Sequence, residues 1–239
     1  MVTAAAAASI LLCICGWILS DRAVKQERYF TPMILIFLCT SFAGGIMVRY
    51  LQINDAGNTI GIALMKASAS LPAVTFALCG YLKNRNVFRF LLLLAIMLSM
   101  MADITINISF IAGGFLFAAA HILFDIAFIQ RKKPGTVQIL LWLILSVPAM
   151  SIPYIFRLHL PAAPVMYFAM FYLSVLVSTC VFSFPLHKMI FLSAAVFALS
   201  DVLLIVNIII PPSLFMSIAA LLVYYLSLIL YGICIWKAY

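Results

Sequence analysis

The chain has 239 residues, of which 67% are hydrophobic and 8% charged, and its mean hydropathy is +1.26. No globule of this length has interior enough for so much apolar surface, so the composition excludes a soluble enzyme or binding domain and implies an integral membrane protein. The net charge of +8 would suit nucleic acid in a soluble chain, but in a membrane chain it concerns which side the basic residues occupy, and no nucleic-acid partner is expected.

Apolar runs of about 20 residues between short polar breaks predict helices rather than barrel strands, which alternate over about ten residues. The expected fold is an all-α, polytopic helix bundle of about nine spans forming one domain. Residues 1–58 hold its first two helices and 59–239 the rest. The first run, Val2 to Ser20, has no basic stretch before it and is followed by Arg22, Lys25 and Arg28. That charge order predicts an outside N-terminus and argues against a cleaved secretory signal. The second run is Tyr29 to Val48, followed by a polar link through Asp55 and Asn58, and the third is Ile60 to Leu82 with Lys66 inside it. The fourth and fifth form a hairpin between Met97 and Phe128 that turns near Ser109 without a charge. The sixth, Val137 to Phe156, carries Pro148 and Pro153 as expected kinks. The seventh is Val165 to Phe184, the eighth Met189 to Ile209, and Pro211-Pro212 turns the chain into the ninth, Leu214 to Trp236.

With the N-terminus outside, the inner segments hold Arg22, Lys25, Arg28, Lys83, Arg85, Arg89, Arg131, Lys132, Lys133, Lys188 and Lys237, and the outer ones Arg49 and Arg157. This obeys the positive-inside rule at every loop and puts the C-terminus in the cytoplasm. Such charges orient the chain and touch anionic headgroups of the bilayer. The expected location is a bacterial inner membrane, or the endoplasmic reticulum in a eukaryote. The six cysteines lie within apolar runs without paired spacing, so they read as small packing residues.

The Met97 to Phe128 hairpin holds Asp103, Asn107, His121 and Asp125 in an otherwise apolar background. An ionisable group at membrane depth costs a few kcal/mol, roughly +2.5 to +3.5 for Asp on insertion scales, so it persists where it is paired, faces a cavity or is used. Depth counted at about 1.5 Å per residue puts Lys66, Asp103, His121, Asp201 and Tyr224 between the outer third and the midplane, where they can line one cavity. Asp125, four residues beyond His121 on the same helix face, is placed to orient the imidazole. Asn107, Asn207, Tyr172 and Tyr225 suit interhelical hydrogen bonding, and Gly113, Gly114 and Ala118 to Ala120 close helix packing. The segment FALSD with Asn207 following echoes MMAD with Asn107 following. The two lie four spans apart, which suggests a parallel repeat with its two Asp residues facing each other.

At these positions the chain resembles the YhhN-type lysoplasmalogenase family of membrane enzymes. The shared pattern is a lysine near the start of one helix, an Asp ending an apolar run, Ala-His or Ser-His in the next helix, Ser-Asp late in the chain and a Tyr-Tyr-like pair in the last helix. Here these are Lys66, Ala102-Asp103, Ala120-His121, Ser200-Asp201 and Tyr224-Tyr225, and the resemblance runs from Ile60 to the C-terminus. Ala102 stands where the family usually has Gly, Ala67-Ser68 where it usually has Pro-Leu, the first run adds a span to the family's usual eight, and Asp125 is outside the pattern.

The resemblance implies hydrolysis of the vinyl ether bond of a lysoplasmalogen to a fatty aldehyde and a glycerophospho-alcohol. That chemistry needs one carboxylic acid to protonate the vinyl carbon and one carboxylate to stabilise an oxocarbenium ion, as in glycosidases. Asp103, Asp201 and His121 are the expected catalytic residues, and Lys66, Tyr224, Tyr225, Asn107, Asn207 and Asp125 the expected substrate-binding set. No cofactor or metal is called for; a rival zinc hydrolase would want about three ligands, which only His121, Asp103 and Asp201 could supply. The same buried Asp, His and Lys cluster would also serve a proton-coupled transporter or a non-enzymatic lipid-binding membrane protein.

Overall fold

A computed structural model of the chain describes residues 30–55, 57, 59–157, 163–209 and 213–237. The first predicted run, the basic residues Arg22, Lys25 and Arg28, and the positions Asn58, His159, Pro211 and Pro212 lie outside the described residues. Eight helices are described: α1 (Phe30–Asn54), α2 (Thr59–Lys83), α3 (Val87–Thr105), α4 (Phe110–Arg131), α5 (Thr136–Ile155), α6 (Ala163–Ser183), α7 (Lys188–Ile209) and α8 (Leu214–Lys237). Each is long and apolar enough to cross a membrane, and there is no strand among the described residues. A helix satisfies its own backbone hydrogen bonds, which is what hydrocarbon demands.

The third and the sixth to ninth predicted runs fall on these helices with ends shifted by one or two residues, whereas the helices of the hairpin extend beyond it, from Val87 to Arg131, and the second run stops short. Helix α1 continues past Val48 to Asn54, so Arg49 and Gln52 stand on a helix and not in the outer loop that the charge count assigned to Arg49.

Helix α8 packs along α7, α2, α1 and α3 and so occupies the middle of the bundle. Its approach to α2 depends on Gly80, where an added Cβ would sit 2.9 Å from the backbone nitrogen of Trp236. The pairings repeat with a shift of four helices. The α1/α2, α2/α3 and α3/α4 contacts recur as α5/α6, α6/α7 and α7/α8, and the α2/α8 contact is matched by α6 against α4. The register is that of a parallel repeat. The two halves differ at their first helices. Helix α1 packs on α8 as well as α2, whereas the contacts of α5 are concentrated on α6, and only 11% of the central stretch of α5 is buried, against 67% for α2.

The turns alternate in charge as well. One end of the bundle carries Lys83, Arg85, Arg131, Lys132, Lys133, Lys188 and Lys237, and the other Arg49 and Arg157. Arg89 belongs to the basic end by position, but it is buried and its Nη1 donates to Gly80 O at 3.4 Å and Asn84 O at 3.0 Å. It therefore caps the orphan carbonyls at the end of α2, while Asn86 accepts from Arg89 N at 2.8 Å to start α3. Among the cysteines described, Cys39, Cys79, Cys180 and Cys234 are free.

Candidate active site

A cavity of about 310 Å³ opens in the half of the bundle away from the basic end, and all eight described helices contribute to its wall. Its polar residues include Lys66, Asp103, Tyr172, Ser200, Asp201, Asn207 and Tyr224, together with Arg49 and Gln52 from α1. Its apolar residues include Phe110 and Phe117 of α4, Ile152 and Phe156 of α5, and Phe168 of α6.

Asp103 stands one turn before the α3–α4 turn, and that turn is locked around it. Asn107 Nδ2 donates to the carbonyl of Asp103 at 2.7 Å, and Ser109 caps α4 by accepting from Ala112 N at 3.4 Å. Gly113 lies so close to Ile106 that a Cβ there would fall 2.5 Å from its Cα, which brings α4 against the end of α3. The carboxylate itself accepts at Oδ2 from two hydroxyls, Ser70 of α2 and Tyr224 of α8, the latter at 2.9 Å. Both of these donors go to Oδ2, and the Asp103 side chain lines the cavity.

Asp201 repeats this arrangement four helices on. Tyr172 of α6 donates to its Oδ2 at 2.6 Å, and His121 of α4 brings Nε2 to 3.8 Å from the same oxygen. Each Asp is thus met by a hydroxyl from the helix before it and by a ring from the last helix of the other repeat. Tyr224 reaches from α8 to Asp103, and His121 from α4 to Asp201. The two rings sit either side of Phe197, whose centroid is 4.5 Å from His121 and 5.4 Å from Tyr224.

The remaining expected residues divide. Asn207 lines the cavity, but its amide is occupied, donating to Ser217 Oγ at 3.0 Å and accepting from Ser213 N at 3.2 Å. Asn107 serves the backbone turn and is not part of the cavity wall. Tyr225 is buried away from the cavity, its ring pressed on α1 where a Cβ at Gly45 would lie 3.0 Å from Cε2, and its hydroxyl has no partner among the described residues. Asp125 is likewise outside the cavity and accepts from Ser178. The imidazole of His121 has no hydrogen bond to it, since neither ring nitrogen has a hydrogen-bond partner among the described residues. No group of three His, Cys, Asp or Glu side chains among the described residues is placed to hold a metal ion.

Tyr172, expected as an interhelical hydrogen-bonding residue, has that role toward Asp201, while three residues of the site escape the sequence reading. Ser70 lies four residues after Lys66 on the same face of α2, a spacing that could have pointed to it. Arg49 and Gln52 lie beyond the predicted end of their helix.

The sequence profile of the YhhN family matches residues 61–232, which is most of the chain. The protein belongs to the YhhN family. The YhhN-matched segment starts at the beginning of α2 and ends within α8, so it contains both Asp residues, His121, Lys66 and Tyr224, and leaves out α1. No curated protein and no solved structure matches the chain significantly.

Proposed function

We propose that this YhhN-family protein is a membrane-embedded hydrolase that cleaves the vinyl ether bond of a lysoplasmalogen, releasing a fatty aldehyde and a glycerophospho-alcohol. The observation that carries the reading is the pair Asp103 and Asp201, both on the wall of one cavity. A neutral carboxyl group and a carboxylate at one apolar site are what acid-catalysed addition of water to an enol ether requires.

The two acids differ in their partners, and so do the roles assigned to them. Asp103, with two hydroxyl donors on one oxygen, is the carboxylate that steadies the cation. Asp201, held by Tyr172 and with an imidazole nearby, is the acid. Its proton passes to the alkenyl carbon beyond the ether-linked one, leaving an oxocarbenium ion at the ether carbon. Water adds there and gives up a proton, with His121 close to Asp201 to receive or return it. The resulting hemiacetal collapses to the aldehyde and the glycerol hydroxyl, so one water is consumed and the enzyme ends as it began. Lys66 lines the cavity without a carboxylate in ion-pair reach among the described residues, which favours a role toward the lipid phosphate. The hydrocarbon chain lies among Phe110, Phe156 and Phe168.

The basic residues at the opposite end of the bundle support placing the cavity on the outer side, with nine spans and a cytoplasmic C-terminus.

The deciding experiment incubates purified protein with a lysoplasmalogen and with its saturated alkyl-ether analogue and follows free aldehyde by mass spectrometry. Aldehyde from the vinyl ether alone, absent with Asp103→Asn and with Asp201→Asn, is the expected result. No aldehyde from a folded, membrane-inserted protein would sink the reading. The other use of these groups is proton transfer across the membrane, which Asp125 favours because its Oδ1 is buried and unpartnered one turn below His121. Proton flux in liposomes without lipid turnover would select that reading.

A further inference from the structure

Arg49 is the one cation on the cavity wall besides Lys66. Its Nη1 donates to Gln52 Oε1, one turn on, at 3.2 Å, one of the five donors of a guanidinium. Its Nε is sealed from solvent and has no acceptor. Neither Arg49 nor Lys66 has an Asp or Glu oxygen within 4.0 Å among the described residues. Arg49 comes five residues before the end of α1 and Lys66 seven residues after the start of α2, so consecutive helices bring both cations to the same end of the bundle. Both side chains are half-buried and the charge of Lys66 acts on Asp103, but Arg49 holds a sealed donor without an acceptor among the described residues, and such a cation on a cavity wall calls for an anionic ligand.

We propose that Arg49, supported by Gln52 and joined by Lys66, forms the phosphate subsite of this cavity. The proposal rests on the hydrolase reading for the identity of the lipid. A planar guanidinium takes two phosphate oxygens at once, whereas the lysine ammonium supplies a point charge. Gln52 takes one donor of the fork and so directs the others. The glycerol backbone then extends from this anchor toward Asp103 and Asp201, and the hydrocarbon chain continues into the apolar remainder. Helix α1 lies outside the YhhN-matched segment, so Arg49 and Gln52 are assigned here from the cavity geometry alone.

Equilibrium binding tests this with the full chain in lipid nanodiscs and two tritiated, non-hydrolysable ligands. One is a 1-O-alkyl lysophospholipid and the other the corresponding 1-O-alkylglycerol, with glycerol 3-phosphate as a competitor. Arg49→Gln should weaken the lysophospholipid by roughly ten- to a hundredfold, the range for a hydrogen bond to a charged group. The alkylglycerol should bind as before, and competition by glycerol 3-phosphate should disappear. Arg49→Lys should fall between, keeping the charge and losing the fork. Equal lysophospholipid binding by Arg49→Gln and the unsubstituted chain overturns the subsite alone. Loss of both ligands in Arg49→Gln and in Arg49→Lys overturns it too, by making Arg49 a structural residue. If the unsubstituted chain binds neither lipid, the lipid-hydrolase reading falls with it.

Discussion

His121 Nε2 stands 3.8 Å from Asp201 Oδ2, too far for a hydrogen bond, and the ring is held in place instead by Phe197, Phe124 and Tyr172 at centroid distances of 4.5, 6.1 and 5.8 Å. An imidazole packed by aromatic rings and pointed at an acid without bonding it is poised for a proton it does not yet share. His121→Phe fills the same space and removes two unsatisfied buried nitrogens. It should leave the thermal midpoint in detergent unchanged or raised while lowering aldehyde release by roughly a hundredfold or more. Full activity in His121→Phe would reduce the residue to packing.

Ser70 and Tyr224 donate to the same oxygen of Asp103 from different helices, so their contributions are coupled. Tyr224→Phe and Ser70→Ala should each lower kcat by about ten- to a hundredfold, as for hydrogen bonds to a charged group. The double variant should lose more than the product of the two, because in each single variant the remaining donor can tighten once its rival has gone. Strict multiplicativity, measured by steady-state kinetics on the vinyl ether, would mean that the two hydroxyls act independently.

Asp125 offers the contrast. It lies one turn from His121, outside the cavity, with Ser178 as its donor. Asp125→Asn retains an acceptor for that hydroxyl, so KM for the lipid should be unchanged. A rise in KM of tenfold would return Asp125 to the substrate-binding set.

Two predictions concern the scaffold. Gly80→Leu drives a side chain into the backbone of Trp236 and should cost about 1–3 kcal/mol, the usual penalty of overpacking, read as a lowered midpoint in thermal unfolding.

Arg89→Met keeps much of the side chain's length but uncaps α2, leaving the carbonyls of Gly80 and Asn84 without their donor. A loss of about 1–3 kcal/mol is expected. Cysteine-accessibility mapping should find the membrane orientation unaltered, since Arg89 serves the helix end more than the charge balance.

The positions of the helices were legible because membrane spans are written in composition: about 20 apolar residues, a break, and another run. The family's residues were legible for the opposite reason, since Asp103, His121 and Asp201 stand out against that background. What composition conceals is how polar residues pair across helices. Nothing in the local sequence of Tyr224 says that it serves Asp103, 121 residues away, or that His121 faces Asp201 rather than Asp125. The repeat made that crossing guessable in outline, through its common register, while the donors Ser70 and Tyr172 are ordinary bundle residues until the helices are assembled. Arg49 was misplaced because a charge was taken to end a span, whereas its stem lets the helix continue and its head is received by a cavity.

Helix α5 supplies Ile152, Pro153 and Phe156 to the cavity yet leans chiefly on α6, with Ile144, Val147 and Ile155 turned outward. The wall beside the hydrocarbon subsite is therefore a single helix thick, with bulk lipid on its far side. Under the proposed function, this wall predicts that a lipid substrate enters sideways from the leaflet without passing through water. Its encounter rate follows its mole fraction in the bilayer, so diluting the substrate with inert lipid should slow the protein even when the amount per volume is held constant.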